Sequence, residues 1–409
     1  MTAAAMLCPA VAAVPSLAAS VVPASGPQTS WTAVSGAGAS IPTPNDPAVY
    51  RYGHHTLEVA WMQRGTTNGD VLMTRRFDSR TGAKKGGTHK VMPAWAAINS
   101  QPRLVSYQGQ RVLVFAGIRN PLNNLDPYNA SEAYYFTSTD GKAWVLQPNA
   151  LSHTAGVAAS AGLAATSAGG QLVVAYALSP NGWITYHQGI TGGIPAGGTD
   201  ETTDHDTKCC VYDPALASDP SGGRVWAAWY SNSPNQGWNG IDAQPVPTGT
   251  RYSAPGSSST SGAGAVSVSP GQAVQLAARP ASHNGGVYTA YAIGYPTPTT
   301  IGVWKLGTGK TALRIDAGHL VADVGIAAGL GGRLWVYWAD RATHDIRVAL
   351  TNTKVTKVAA TYTLRPPNST YYQALTLVGD GSDSAKGRLN LVAVIGGTRT
   401  AIFYTQVKP

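Results

Sequence analysis

The chain has 409 residues, of which 12% are charged, and Lys and Arg outnumber Asp and Glu to leave a net charge of +9. Beyond the N-terminus no stretch approaches the roughly 18 consecutive apolar residues of a membrane span. A basic balance suits an acidic partner such as a uronate-bearing glycan, a teichoic acid or nucleic acid, but the Lys and Arg residues are spread along the chain without the aromatic interleaving of a nucleic-acid groove.

Residues 1–25 contain the apolar run Ala3 to Val14 and then small residues, with Val22-Pro23-Ala24 resembling a cleavage site. This reads as a secretory signal peptide lacking a positive n-region, since the first basic residue is Arg51. A secreted, extracellular protein is expected. Residues 26–47 hold a strand candidate, Ser30-Trp31-Thr32-Ala33-Val34, followed by a Gly/Ser/Pro-rich linker. Residues 48–409 read as one domain, because a single repeat runs through them.

The repeat is a glycine turn feeding an apolar strand. Copies begin at Leu57, Val112, Leu172, Val225, Val287, Leu334 and Leu389, spaced by subtraction 47 to 62 residues apart. Periods of this size signal a propeller, solenoid or array. A short apolar run precedes most copies, as at Pro214-Ala215-Leu216-Ala217, and another follows, as at Ile346-Arg347-Val348-Ala349. Their β-branched and aromatic content, with Gly, Pro, Asn and Ser between them, indicates strands joined by hairpins. A blade has four strands, and the outermost is clearest at Trp144-Val145-Leu146. The predicted fold is therefore all-β: a seven-bladed β-propeller of four-stranded antiparallel blades. The last repeat runs out at its third strand, Ala401 to Gln406, so Ser30–Val34 is expected to pair there. That N-terminal strand would close the ring and cover exposed sheet edges, which suits a monomer.

Trp61, Tyr176, Trp229, Tyr291 and Trp338 recur at the fifth residue of the repeated strand, which assigns them to packing between blades. Trp95, Trp183 and Trp238 break the repeat and lie in or beside loops; with Tyr230 they are the candidates for stacking on a sugar. The regions 192–208 and 246–273 are expected to be surface loops. The first contains the densest acidic cluster, Asp200 to Asp206. Crossings from one blade's outer strand to the next blade's inner strand share a face with the second-to-third-strand loops, such as 119–129, 232–240 and 340–345 with His344. That topology places Asp204, His205 and Asp206 near the channel mouth. Three roles stay open for them: acid–base catalysis, Ca²⁺ binding through carboxylate oxygens, or a solvated polar loop. No other cofactor is implied. Cys209 and Cys210 are adjacent, with Cα atoms about 3.8 Å apart. That is shorter than the usual disulfide range of roughly 4.4–6.8 Å, so they form either a strained vicinal disulfide or two buried thiols.

The stretch Ser138-Thr139-Asp140-Gly141-Lys142-Ala143-Trp144, after the strand Ala133-Tyr134-Tyr135-Phe136, resembles the Asp box of sialidase-like (BNR/Asp-box repeat) β-propellers, Ser-x-Asp-x-Gly-x-x-Trp, one residue shorter between Asp and Gly. The resemblance implies a structural turn: Asp140 bonds backbone amides, Gly141 takes a positive φ and Trp144 anchors the hairpin. It also implies that this turn faces away from any active site. The sialidase site itself is not recognisable. The Ile-Pro pairs, Ile41-Pro42 and Ile194-Pro195, follow Ser40 and Gly193 rather than Arg, and the chain has three glutamates, Glu58, Glu132 and Glu201. Tyr371 and Tyr372, beside the loop entering the last blade, could supply a nucleophile. Two readings follow: a propeller that binds glycan through loops on one face, or a carbohydrate-active enzyme, a glycoside hydrolase or polysaccharide lyase, using Asp204, His205 and Asp206.

Overall fold

The computed structural model describes residues 30–409 except 37, 43–45, 54, 66–68, 93–94, 96, 99–101, 119–131, 148–150, 152–161, 179–182, 189, 192–193, 196–210, 221–222, 234–237, 247–248, 258–264, 267–273, 284, 295–296 and 382–386. The strands form antiparallel sheets that follow one another along the chain, each built from consecutive strands except the last, which also takes in an N-terminal strand. Sheet 1 is Ala48–Tyr52, Thr56–Arg64, Asp70–Asp78 and Lys84–Lys90 in that order. Sheet 2 spans 97–146, sheet 3 163–188, sheet 4 211–253, sheet 5 265–316 and sheet 6 321–364; sheet 7 joins Tyr371–Asp380, Leu389–Gly397 and Ala401–Val407 to Thr32–Ala33. The innermost strands touch in sequence order, and Tyr371–Asp380 lies against Ala48–Tyr52. The protein is an all-β propeller of four-stranded antiparallel blades.

Every glycine-fed copy is the second strand of its sheet. These strands read as continuous apolar runs because both of their faces are covered. Successive side chains point to opposite faces, so Val392 and Val394 pack with Leu57, Val59 and Trp61 of sheet 1, while Leu391, Ala393 and Ile395 pack with Trp335 and Tyr337 of sheet 6. The recurrent aromatics are core: Trp61, Tyr176, Trp229, Tyr291 and Trp338 are all at most 5% exposed.

Three expectations need correction. Six sheets carry the four strands of a blade, and sheet 3 has three among the described residues, so the predicted seven four-stranded blades become six. In sheets 2 and 5 the inner strand comes in two pieces that pair with different parts of one second strand: Ala97–Ile98 with Arg103–Tyr107, and Ala265–Val266 with Leu276–Arg279. The region 246–273 is therefore more than a surface loop, since Tyr252–Ser253 and Ala265–Val266 both join sheets. In the N-terminal segment Ser30–Val34 the regular ladder is limited to Thr32 and Ala33, opposite Tyr404 and Phe403, while the Val34 N–H donates to the Ile402 carbonyl at 2.8 Å and the Ser30 carbonyl accepts from Thr405 Oγ1 at 3.2 Å. Trp31 packs edge-on to Phe403 at 6.4 Å and donates its Nε1–H to the carbonyl of Arg365 at 2.7 Å.

The hydrogen bonds expected of the 138–144 turn are present. Asp140 Oδ1 accepts from the backbone N–H of Lys142 at 2.7 Å and of Ala143 at 3.0 Å, and these bonds hold its carboxyl down to about 2. The Gly141 N–H donates to Ser138 Oγ at 2.8 Å, Gly141 has φ +72°, and Trp144 packs on the core of sheets 1 and 2. A second turn of this kind, unforeseen in the sequence, joins the third and fourth strands of sheet 1, with Asp78 Oδ1 accepting from Arg80 and Thr81.

Candidate functional site

Alternation of strand direction divides the loops between two faces. One carries the first-to-second and third-to-fourth turns, including 138–144. The other carries the second-to-third loops and the crossings between sheets, and it is where side chains from distant repeats converge.

Asp204, His205, Asp206, Cys209 and Cys210 lie outside the described residues. Trp183 and Trp238 begin the third strands of sheets 3 and 4, at the loop face; their backbones pair with Leu178 and Ser233. Trp95 and Tyr230 are corrections. Trp95 is 6% exposed, exchanges backbone hydrogen bonds with Asp70, and meets the rings of Phe115 and Tyr134 edge-on at 5.0 and 4.9 Å. Tyr230 is 2% exposed in the core of sheets 4 and 5. Neither presents a ring to a ligand. Glu58 is also removed from this face, buried against Arg111 at 2.6 Å beside Gly141.

What the described loop face does contain is a cavity of about 420 Å³ lined by Thr343, His344, Asp345, Arg365, Pro366, Asn368 and Tyr372. Its first wall is the second-to-third loop of sheet 6. Asp340 organises that loop: Oδ1 accepts from the N–H groups of Ala342 at 2.9 Å and Thr343 at 3.0 Å, and Oδ2 meets His319 Nδ1 at 2.9 Å. Burial works to raise the Asp340 carboxyl, but the His319 ring and these two amides outweigh it and hold the group below its usual range. Arg347 bridges the loop ends, 3.8 Å from Asp340 and 3.5 Å from Asp345. His344 is held at φ +61°, a left-handed conformation uncommon for a side-chain-bearing residue. Its Nδ1 is buried and meets no hydrogen-bond partner among the described residues. Backbone strain of this kind, roughly 1–3 kcal/mol, persists only where the surroundings enforce it, and it clusters at ligand sites.

The second wall is the crossing from sheet 6 to sheet 7. Pro366 and Pro367 stiffen it, Asn368 Oδ1 accepts from Thr370 and Tyr371, and Trp31 holds the Arg365 carbonyl. Tyr372, at the start of the innermost strand, is 44% exposed and edge-on to the His344 ring at 5.7 Å. It lies over Gly397, where a Cβ would come within 2.9 Å of the phenol ring. The cavity thus combines an accessible aromatic ring, a guanidinium, an imidazole, a carboxamide and a carboxylate, and its size falls in the range of small-ligand pockets, roughly 300–1,000 Å³. Sequence reasoning named His344 and Tyr372 through their loops and missed Arg365 and Asn368. Among the described residues no cluster of three or more His, Cys, Asp or Glu is placed to hold a metal ion, and no helix is long and apolar enough to cross a membrane.

No family model matches the chain, and no curated protein matches it. Among solved structures it is similar to the polysaccharide lyase Uly1, with 9% identity, a TM-score of 0.53 and 90% of each chain covered. It is also similar to the Hadza microbial sialidase Hz136, with 10% identity, a TM-score of 0.52, and 88% of this chain and 65% of that one covered. A further similarity is to the Trypanosoma rangeli sialidase in complex with the inhibitor DANA, at 10% identity and a TM-score of 0.45, covering 90% and 54%. At these identities the likeness to the lyase and to Hz136 is one of fold alone.

Proposed function

We propose that the protein is an exported carbohydrate-recognition propeller whose glycan site is the cavity between the 340–345 loop and the 365–372 crossing. The observation that carries this reading is the cavity's chemistry. Tyr372 offers a ring for stacking on a sugar, Arg365 a cation for an acidic substituent, and His344, Asn368 and Asp345 directional donors and acceptors. The neighbours named as a polysaccharide lyase and a sialidase support a saccharide ligand. In this reading Thr32–Ala33 fills the outer edge of the last blade, and the 138–144 turn is an Asp box. Asp204, His205 and Asp206 belong to a crossing that the sequence order assigns to the same face, where they would extend the site.

One observation favours catalysis as a second reading. The His344–Tyr372 contact sets a titratable imidazole beside a phenol, with Arg365 lining the same cavity; a base, an acid and a carboxylate-binding group are the parts a uronate-cleaving enzyme requires.

Calorimetric titration with neutral and uronate-bearing oligosaccharides tests both readings. Tyr372→Ala and Arg365→Gln are each expected to weaken binding about tenfold, the order of a single stacking or charge-assisted interaction. Absence of binding to any oligosaccharide refutes carbohydrate recognition. Chain cleavage that His344→Ala abolishes while binding survives establishes the enzyme.

A further inference from the structure

Six of the chain's 29 Lys and Arg residues fall within one hairpin. Between Arg75 and Lys90 the third and fourth strands of sheet 1 carry Arg75, Arg76, Arg80, Lys84, Lys85 and Lys90 against the single carboxylate of Asp78, which is five of the chain's net nine positive charges. Lys84–Lys90 is the outermost strand of its blade. Lys84 and Lys90 are exposed, and the Arg80 side chain is 52% exposed.

The nearby carboxylates are few and already engaged, and within the hairpin itself only Asp78 offsets the cations. Asp78 is turned inward: Oδ1 takes the backbone N–H of Arg80 and Thr81, and Oδ2 lies 3.4 Å from Lys85 Nζ and 3.5 Å from Arg80. Asp140, whose carbonyl accepts from Arg76, uses its own carboxylate inside the 138–144 turn. Asp70, at the far end of the hairpin, accepts from the N–H of Ile98. Glu58 is buried against Arg111.

The strand's backbone is also unusual. Arg75 faces Thr88 and Phe77 faces Lys84, so residues 85–87 bulge opposite Arg76. The bulge is Lys85-Gly86-Gly87, with Gly86 at φ +85°. A Cβ on Gly87 would meet nothing within 4 Å, and one on Gly86 only Arg76 Nη2 at 3.9 Å. Bare backbone therefore lies between Lys84 and Lys90, leaving room for a chain to run along a strand roughly 20 Å long.

We propose that this hairpin edge is a second, purely electrostatic binding surface, taking a linear anionic polysaccharide that bears carboxylate or sulfate groups. It goes beyond the glycan cavity, since it stands on a different blade edge and uses no aromatic ring. The scarcity of stacking rings in Lys-Lys-Gly-Gly-Thr-His-Lys disfavours single-stranded nucleic acid, which is held by base stacking, and duplex DNA is set against the polysaccharides in the test. Lysines on an edge strand also discourage strand-to-strand aggregation, a role that asks nothing of a polyanion.

The test compares two triple variants that lose the same charge. Arg80→Gln/Lys84→Gln/Lys90→Gln removes the hairpin edge and leaves Lys85 and the Asp78 turn in place. Lys310→Gln/Lys354→Gln/Lys357→Gln removes three exposed cations elsewhere. Binding to polygalacturonate, to heparin and to a 30-base-pair DNA is measured against salt, with folding checked by circular dichroism and association by sedimentation. The hairpin variant is expected to bind both polysaccharides about tenfold more weakly, with a salt slope shallower by roughly one for each cation removed. The control variant should stay within twofold of the unaltered protein. Polygalacturonate and heparin together separate carboxylate from sulfate preference. Equal losses in the two triple variants, no polysaccharide binding at all, or increased self-association as the hairpin variant's only defect would each overturn the proposal. Tighter binding to DNA than to either polysaccharide would overturn the assigned partner.

Discussion

Glu58 gives the sharpest quantitative test of the packing between the first two sheets. Its side chain is fully buried, 2.6 Å from Arg111 Nη1, and its second oxygen meets no partner among the described residues. Burial raises the carboxyl and Arg111 pulls it back, leaving it at about 7 against an ordinary 4.5. The folded state therefore holds this proton more tightly than the unfolded chain. The resulting stability is present in full below about pH 4.5 and is lost as the pH rises through 7. A shift of roughly 2.5 units at 1.36 kcal/mol each sets the loss at no more than about 3 kcal/mol. Glu58→Gln cannot titrate. Leaving Arg111 without its charge partner displaces the variant's whole curve but not its slope. Urea unfolding at pH 5, 6, 7 and 8 should show the unaltered protein losing stability relative to the variant across this interval. Parallel curves would refute the burial argument and mean that Arg111 keeps Glu58 ionised throughout.

Gly141→Ala should destabilise by at least about 1–2 kcal/mol, because φ is +72° and the new Cβ would overlap the Arg111 guanidinium and sit 3.0 Å from Glu58 Oε2; unchanged urea unfolding would contradict this. Trp31→Phe should cost roughly 0.5–1.5 kcal/mol by removing the 2.7 Å bond to the Arg365 carbonyl, and should weaken glycan binding without touching the cavity. Unaltered affinity in a titration would show that the N-terminal strand does not position Arg365. Asp340, depressed by His319 and two amides once these outweigh burial, contributes stability above its unfolded value that disappears as the pH falls through the folded one. Asp340→Asn should abolish that acid-side loss, and thermal melts between pH 2 and 6 that match those of the unaltered protein would exclude it.

The architecture was legible in the sequence because one physical constraint repeats. A second strand covered on both faces is apolar at most positions, with exceptions such as Glu58 that are buried against a partner, so Leu57, Val112 and their counterparts stand out. Outer strands are not so constrained: Lys84–Lys90 is mostly exposed and carries no apolar residue, which is why the fourth strand of sheet 1 escaped notice. Ala48–Tyr52 was also missed, since its Ala-Val-Tyr-Arg-Tyr sequence follows no glycine turn and its place is fixed by contacts with Arg103–Tyr107 and Tyr371–Asp380.

The site was legible in a different way, through topology rather than composition. His344 and Tyr372 could be placed because alternating strand direction decides which loops share a face. Arg365 and Asn368 carried no such signal: Arg-Pro-Pro-Asn reads as a turn, and only the fold sets it opposite the 340–345 loop. Trp95 was misjudged for the complementary reason. Its departure from the repeat suggested an exposed ring, but exposure depends on Phe115 and Tyr134, which a local pattern cannot supply. The charged hairpin differs from both, because its six cations fall within one short stretch, 75–90. Counting charge over the whole length hid them; pairing them across adjacent strands turns a weak overall basicity into a local surface, and a partner's size and charge can be argued from that surface.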